Sequence, residues 1–214
     1  ALSRAGGHYK VQGAIGMAFV ALGLLLLSTM SIETSIVRAM VYIILVGVGL
    51  GVSMPIYTIA VQNTVSYDVL GVATSTVPFF RSLGGSFGLA ILGSIMTNSF
   101  ASEFVSRLPD TIKAIIPQQL LYSVTHGAQA LLDPHGQTQL KAFFSQLGPQ
   151  GTSLYDQAVQ ALRQALNSAL AEVFFICFVV IVLAFISNLF IKEIPLRKQH
   201  QMAQPPDEPE KQKD

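Results

Sequence analysis

The sequence predicts an all-α integral membrane protein with four transmembrane helices. Its residues are 51% apolar and only 12% charged, whereas about a quarter of the residues of a soluble globular domain carry charge. Four apolar stretches reach the roughly 20 residues that an α-helix needs to cross the hydrocarbon core of a bilayer. They lack the alternation of a membrane β-strand, and a helix satisfies its own backbone hydrogen bonds in lipid. The predicted spans are residues 11–30, 36–61, 72–97 and 168–191.

Residues 1–98 therefore hold three spans, and a more polar region, residues 99–167, separates them from the fourth. Prolines interrupt that region, and apolar residues recur at helical spacing within residues 140–147. We expect short amphipathic helices on the outer face of the membrane, the last of them continuous with the fourth span. Residues 192–214 are rich in proline and charge, cannot build a core, and are expected to form a disordered cytoplasmic tail.

Basic residues are concentrated beside the first and last spans. Arg4 and Lys10 precede the first span, and Lys192, Arg197 and Lys198 follow the fourth. Cytoplasmic segments carry an excess of Lys and Arg, and four crossings place both termini on the same side. We therefore expect a multi-pass protein of the cell membrane whose two termini are cytoplasmic.

Several classes of function are disfavoured by the residues present. The net charge of +1 gives no support to nucleic-acid binding. Cys177 is the single cysteine, and His126 and His135 have no cysteine or carboxylate at metal-ligand spacing. Because the sequence also offers no paired carboxylates and no nucleophile–base set, it predicts no enzyme, no metal and no cofactor.

The second predicted span combines small residues, a proline and polar groups. Gly47, Gly51 and Pro55 recur every four residues and share one face, a spacing that lets helices approach closely in lipid. Proline removes a backbone donor and commonly bends a helix, so we expect a bent helix that lines a cavity, with tight packing alone as the alternative. The residues predicted along a solute pathway are Met54, Pro55, Thr58, Gln62 and Asn63.

The third predicted span contains Arg81 among glycines. An arginine at the centre of a span costs roughly 2.5–3.5 kcal/mol on insertion scales, so some interaction must offset its desolvation. Gly85 and Gly88 share its face, and Gly84 with Gly88 forms a second pair suited to close approach. Glu172 lies toward the opposite, outer end of span four. We expect Arg81 to meet helices outside this chain, a backbone carbonyl or water; a structural arginine that reaches the interface is the alternative.

Three strings in these spans are distinctive. They are Gly47-Val-Gly-Leu-Gly-Val-Ser-Met-Pro55, Ala60-Val-Gln-Asn63 and Phe79-Phe-Arg-Ser-Leu-Gly-Gly-Ser-Phe-Gly88. They resemble the last third of the major facilitator superfamily, in particular its fourteen-span drug:proton antiporter branch of EmrB/QacA type. The resemblance covers nearly the whole chain and implies that the four spans are helices eleven to fourteen of a longer transporter. The start at Ala1, without a signal-peptide pattern, favours the same expectation of a C-terminal fragment.

The resemblance also implies roles for individual residues. The second span would line the central cavity, and the third would lie at the seam between two halves that open alternately to the two sides of the membrane. Helix packing and gating would involve Gly47, Gly51, Arg81, Gly84, Gly85 and Gly88. A basic cytoplasmic loop motif would include Arg4, Gly7 and Lys10, although His8 stands where that motif often has arginine or lysine.

The function implied is proton-coupled export of small hydrophobic or cationic compounds. Its partners would be the lipid bilayer, protons, the substrate and the remaining N-terminal helices. A proton relay needs an acid or histidine inside the membrane, and none lies at the centre of these spans, so we expect it in the N-terminal helices. Two alternatives stay open: a dedicated metabolite permease of the same superfamily, and a small four-helix membrane protein that takes part in assembly and transports nothing.

Overall fold

The computed structural model describes residues 9–117, 141–146 and 148–190, and all regular structure within them is helical. Four of its helices are long and apolar enough to cross a membrane, which confirms the predicted fold class. The elements, in chain order, are α1 (Tyr9–Ser28), α2 (Ile36–Thr64), a 3₁₀ turn (Tyr67–Val69), α3 (Leu70–Arg107), α4 (Asp110–Ile115), a second 3₁₀ turn (Gly148–Gln150) and α5 (Gly151–Phe190).

Some of the predictions concern residues that lie outside those described. These are Arg4 and Gly7 of the loop motif, the two histidines His126 and His135, and the tail at 192–214.

Helix α1 packs against both α2 and α5. Its contact with α2 is close enough for backbone to meet backbone. A Cβ added to Gly49 of α2 would lie 2.6 Å from the carbonyl oxygen of Gly16 and 2.8 Å from the amide nitrogen of Val20. Glycine is therefore what permits this helix pair, because small residues bring helix axes together where lipid supplies no hydrophobic drive.

Two polar contacts tie α1 to α5. At one end Lys10 Nζ donates to the carbonyl oxygen of Leu189 at 2.8 Å, and at the other Asn167 Nδ2 donates to the carbonyl oxygen of Met30 at 3.0 Å. The first residues of α1 and the last residues of α5 consequently lie at the same end of the bundle. We call this the Lys10 end, and we call the opposite end the Met30 end.

Helices α3 and α5 are much longer than a membrane crossing requires. Their 38 and 40 residues correspond to about 57 and 60 Å at 1.5 Å per residue, against a hydrocarbon core of about 30 Å. The sequence predicted that the third span ends near residue 97 and that the fourth begins near residue 168. As a helix, α3 continues to Arg107, because no glycine or proline lies between residue 97 and Pro109.

The extensions of α3 and α5 bury a hydrophobic cluster, which we call the outer cluster. Phe100 and Phe104 of α3 are 1% and 2% exposed, and they face a row of alanines on α5 that are also buried. Alanine at every third or fourth position leaves room for the two aromatic rings, since protein interiors are close-packed. The members are Phe100, Phe104, Leu108, Ile112, Ile116, Phe144, Ala158, Ala161, Ala165 and Ala169.

Polar side chains run beside this cluster and link the same two helices. Arg107 Nη2 lies 2.7 Å from Glu103 Oε2 and donates to Ser168 Oγ at 3.0 Å. Ser99 Oγ donates to Glu172 Oε2. Glu172 is therefore engaged by α3 at the Met30 end of the bundle. The ion pair is more than a third exposed, so burial of the outer cluster contributes more stability than the charges do.

Helix α4 offers a matched test of this packing. Ile112 is fully buried, whereas Ile115, one turn later in the same short helix, is 41% exposed. We expect Ile112→Val to lower the free energy of unfolding by about 1 kcal/mol, because it removes a buried methyl group. Ile115→Val, the control, should leave it nearly unchanged. Chemical denaturation of the detergent-solubilised protein measures both variants. Equal losses of unfolding free energy would contradict the difference in burial between Ile112 and Ile115.

Candidate functional site

Helix α2 presents two different faces. Gly49, Ser53 and Ile56 are buried, and the first two of them contact α1 directly. The predicted pathway residue Met54 lies on the opposite side and is 47% exposed. On an ideal helix, Gly47, Gly51, Met54, Thr58 and Gln62 fall within about 80° of one another. We call these five residues the open face of α2.

Two of the predicted pathway residues make hydrogen-bond contacts through their side chains within the described residues. Thr58 Oγ1 donates to the carbonyl oxygen of Met54, one turn earlier, at 3.1 Å. Gln62 Nε2 lies 3.4 Å from Thr74 Oγ1 of α3. Helix α2 runs unbroken through Pro55, and Asn63 is partly buried. The bend predicted at Pro55 and the cavity-lining role of this face stay predictions.

The glycines that were predicted to pack are found in open surroundings. An added Cβ at Gly47 or Gly51 would meet no other atom within 4 Å, apart from the helix's own backbone and chain neighbours. The close approach seen in the described residues uses Gly16 and Gly49 instead. Any packing role of Gly47 and Gly51 therefore concerns helices beyond this chain and stays a prediction.

Helix α3 is more exposed still over its membrane-crossing part. Arg81 is exposed, and within the described part of the chain no hydrogen bond or ion pair to its guanidinium is found. Gly84, Gly85 and Gly88 likewise have no atom within 4 Å of an added Cβ. Thr74, Arg81, Gly85 and Gly88 fall within about 60° on an ideal helix. We call these four residues the arginine face of α3.

Near the short link between the helices, the open face of α2 and the arginine face of α3 are joined by a contact between Gln62 Nε2 and Thr74 Oγ1. Within the described residues, α2 contacts α3 much less than it contacts α1. The arrangement thus supplies two faces of small and polar residues, with one cation. Such faces can pack against further helices, or line a polar path between helices.

The sequence analysis missed the residues that actually join α1 to α2. Besides Gly16, Val20 and Gly49, they include Tyr57, whose hydroxyl donates to Met17 Sδ at 3.2 Å. A signal was present, because Gly49 and Ser53 are small residues four apart. Gly47 and Gly51 have the same spacing on another face of the helix, so spacing alone could not show which pair packs against α1.

Ser53 is buried in this interface. It is 7% exposed, and no hydrogen-bond partner of its hydroxyl is found among the residues that the structure describes. A buried polar group without a partner costs free energy. We expect Ser53→Ala to raise the free energy of unfolding by about 1 kcal/mol.

Thermal unfolding in detergent measures this effect. The control is Ser106→Ala, since Ser106 is exposed and its hydroxyl donates to the carbonyl oxygen of Glu103 at 2.9 Å. A lower midpoint for Ser53→Ala would show that the hydroxyl has a stabilising partner.

The remaining predicted site residue that the structure describes is Lys10, which contacts the end of α5 as given above. No group of three or more His, Cys, Asp and Glu residues close enough to hold a metal ion is found within residues 9–117, 141–146 and 148–190.

Comparison with known proteins identifies relatives that are transporters. The chain is 31% identical over 192 residues to the multidrug transporter protein MdtP of Bacillus subtilis. The aligned residues make up 87% of this chain and 35% of MdtP. It is 34% identical over 194 residues to the uncharacterized MFS-type transporter Rv1877 of Mycobacterium tuberculosis, 91% of this chain and 24% of that protein. A tetracycline resistance determinant of Streptomyces rimosus is 28% identical over 196 residues, covering 88% of this chain and 54% of that protein.

No protein-family model matches the sequence, and no solved structure matches the chain. The chain spans about a quarter to a third of the length of MdtP and Rv1877. It has four helices long and apolar enough to cross a membrane, and over about nine-tenths of its length it is similar to a multidrug transporter and to an MFS-type transporter.

Proposed function

We propose that this chain is the C-terminal part of a secondary transporter of the major facilitator superfamily that works by alternating access. The similarity to MdtP and Rv1877 over about nine-tenths of the chain supports this proposal. The fourteen-span EmrB/QacA branch is part of the proposal, because it rests on the strings around Pro55 and Arg81.

The observation that carries the proposal is the exposure of α3. In the most apolar segment of α3, no residue is buried by the described part of the chain. The same helix contains Arg81 and three glycines with open surroundings. A helix that faced only lipid would not need an arginine, which costs free energy in hydrocarbon. The arginine face of α3 and the open face of α2 are therefore assigned to contacts with the N-terminal helices and to the solute pathway.

Orientation is proposed from charge and fold together. The Lys10 end of the bundle brings the start of α1 beside the end of α5. Arg4 precedes this end in sequence, and Lys192, Arg197 and Lys198 follow it. Because basic residues favour the cytoplasmic side, we assign the Lys10 end to the cytoplasm and the outer cluster to the opposite side of the cell membrane.

For the transported substrate we propose hydrophobic and cationic drugs, exported in exchange for protons. The names of MdtP and of the tetracycline resistance determinant support this class. Within the described residues, Glu172 is the acid that lies closest to the centre of a span, and it is held by Ser99 at the Met30 end. The proton carrier and the counter-charge for a cationic drug are therefore assigned to the N-terminal helices.

Dye efflux from cells tests this function. The full-length protein that contains this chain is expressed in a bacterial strain without its own drug efflux pumps, and ethidium fluorescence is followed. We expect lower ethidium accumulation than in cells with an empty vector, and a return to the empty-vector level when a protonophore is added. Unchanged accumulation, with the protein present in the membrane, would contradict multidrug export and favour a permease or a protein without transport.

A further inference from the structure

An apolar cleft lies between α1 and α5 near the Lys10 end. Its volume is about 450 Å³, within the size range of sites that hold small organic ligands. Val11, Ala14, Ile15 and Ala18 of α1 line one side, and Phe185 and Leu189 of α5 line the other. The two alanines, one turn apart, leave space opposite the larger side chains of α5.

A single cationic group stands among the residues that line the cleft. Lys10 Nζ is fixed there by its contact with the carbonyl oxygen of Leu189. That carbonyl belongs to the last described turn of α5. This turn therefore holds the ammonium beside an otherwise apolar cleft.

The cleft is separate from the faces assigned to transport. Gly13, Gly16 and Gly23 are among the residues of α1 that approach α2. Ala14 and Ala18 line the cleft toward α5, and on an ideal helix they lie on the side of α1 opposite to Gly16. A solute at the open face of α2 would be separated from the cleft by the whole of α1. The occupant must therefore reach the cleft from the surrounding bilayer.

We propose that this cleft binds an anionic phospholipid from the leaflet at the Lys10 end. One acyl chain would occupy the apolar space between Ala18 and Phe185, and the phosphate would lie at Lys10. Basic pockets between transmembrane helices favour anionic head groups. In the sequence, residues 191–198 contain three basic residues and one acid, Glu193, so the segment that follows α5 has a net positive charge, which favours an anionic lipid. A zwitterionic lipid gains less from the same cation.

Native mass spectrometry of the full-length protein tests the head-group contact. Phosphatidylglycerol and phosphatidylcholine with identical acyl chains are added in detergent, and the lipid that stays bound is counted. We expect phosphatidylglycerol to bind preferentially, and Lys10→Gln to weaken its binding about fivefold. Lys10→Arg should retain the preference. Lys113→Gln is the charge-matched control, since Lys113 lies on α4 in an exposed ion pair with Asp110, and it should bind like the unmodified protein.

A second variant tests the cavity without removing the charge. Ala18→Leu fills the space between the helices and should abolish preferential binding of phosphatidylglycerol, while circular dichroism shows the helices intact. The proposal is overturned if phosphatidylglycerol and phosphatidylcholine bind equally, if Lys113→Gln weakens binding as much as Lys10→Gln, or if Ala18→Leu binds normally. Because none of these readouts is transport, this result is independent of the ethidium assay.

Discussion

Replacing Arg81 by alanine is expected to abolish efflux by the full-length transporter while leaving its amount in the membrane unchanged. The guanidinium is exposed on the arginine face of α3 and finds no partner within the residues that the structure describes. If the N-terminal helices supply that partner in one of the two alternating states, loss of the contact changes the relative populations of the two states. Ethidium efflux rates, normalised to protein in isolated membranes, measure the effect.

Two matched variants separate the possible causes. Arg81→Lys keeps the charge but loses the planar fork of donors, so partial efflux would indicate a point-charge role and complete loss a bidentate contact. Arg163→Ala removes an exposed arginine from the half of α5 beyond the predicted span and should leave efflux intact. Normal efflux by Arg81→Ala would make Arg81 a structural arginine at the interface and would remove the main support for the proposed gating role.

Substitution of Gly49 by alanine is expected to cause the largest loss of stability. The new Cβ would lie 2.6 Å from Val20 Cγ2, in addition to its contacts with the backbone of Gly16 and Val20. Flexible side chains can move aside, but a backbone carbonyl on a packed helix cannot, so α1 and α2 must separate. We expect the free energy of unfolding of the 214-residue chain to fall by about 3 kcal/mol, the upper part of the usual range for overpacking.

Gly51→Ala is the control for that substitution. Gly51 is two residues away in the same helix, and an added Cβ there has no neighbour within 4 Å. In the 214-residue chain it should leave the thermal midpoint unchanged or slightly higher, since alanine favours helix. In the full-length protein it should become destabilising if the open face of α2 packs on further helices. Equal effects of Gly49→Ala and Gly51→Ala in the 214-residue chain would contradict the interface described.

The four spans were predictable because their signal is local. A run of about 20 apolar residues is enough to predict a span. The lack of an acidic partner for Arg81 in these spans could also be read directly from the sequence. The choice among Gly47, Gly49 and Gly51 was not predictable in this way. Alternate glycines point to different sides of a helix, and which side meets α1 depends on residues such as Gly16 that lie far away in the sequence.

The extension of α3 beyond residue 97 was not predicted from sequence, whereas a helix continuous with the fourth span was expected before residue 168. The segment that follows residue 97 is too polar to count as a span, although its two phenylalanines, Phe100 and Phe104, lie one turn apart. Their importance depends on the facing alanines of α5, and only the fold brings Ala165 to Phe104. The partner of Glu172 was likewise unpredictable, because Ser99 has no charge that would have indicated it.

The outer cluster also sets an order of events during synthesis. Helix α3 is made before α5, and α5 supplies the four buried alanines of the outer cluster. Because segments fold as they emerge, we expect the packing of Phe100 and Phe104 to stay incomplete until α5 has been made. A chain that stops before Gly151 would lack these alanines, and we expect more of its apolar surface to be open to proteases.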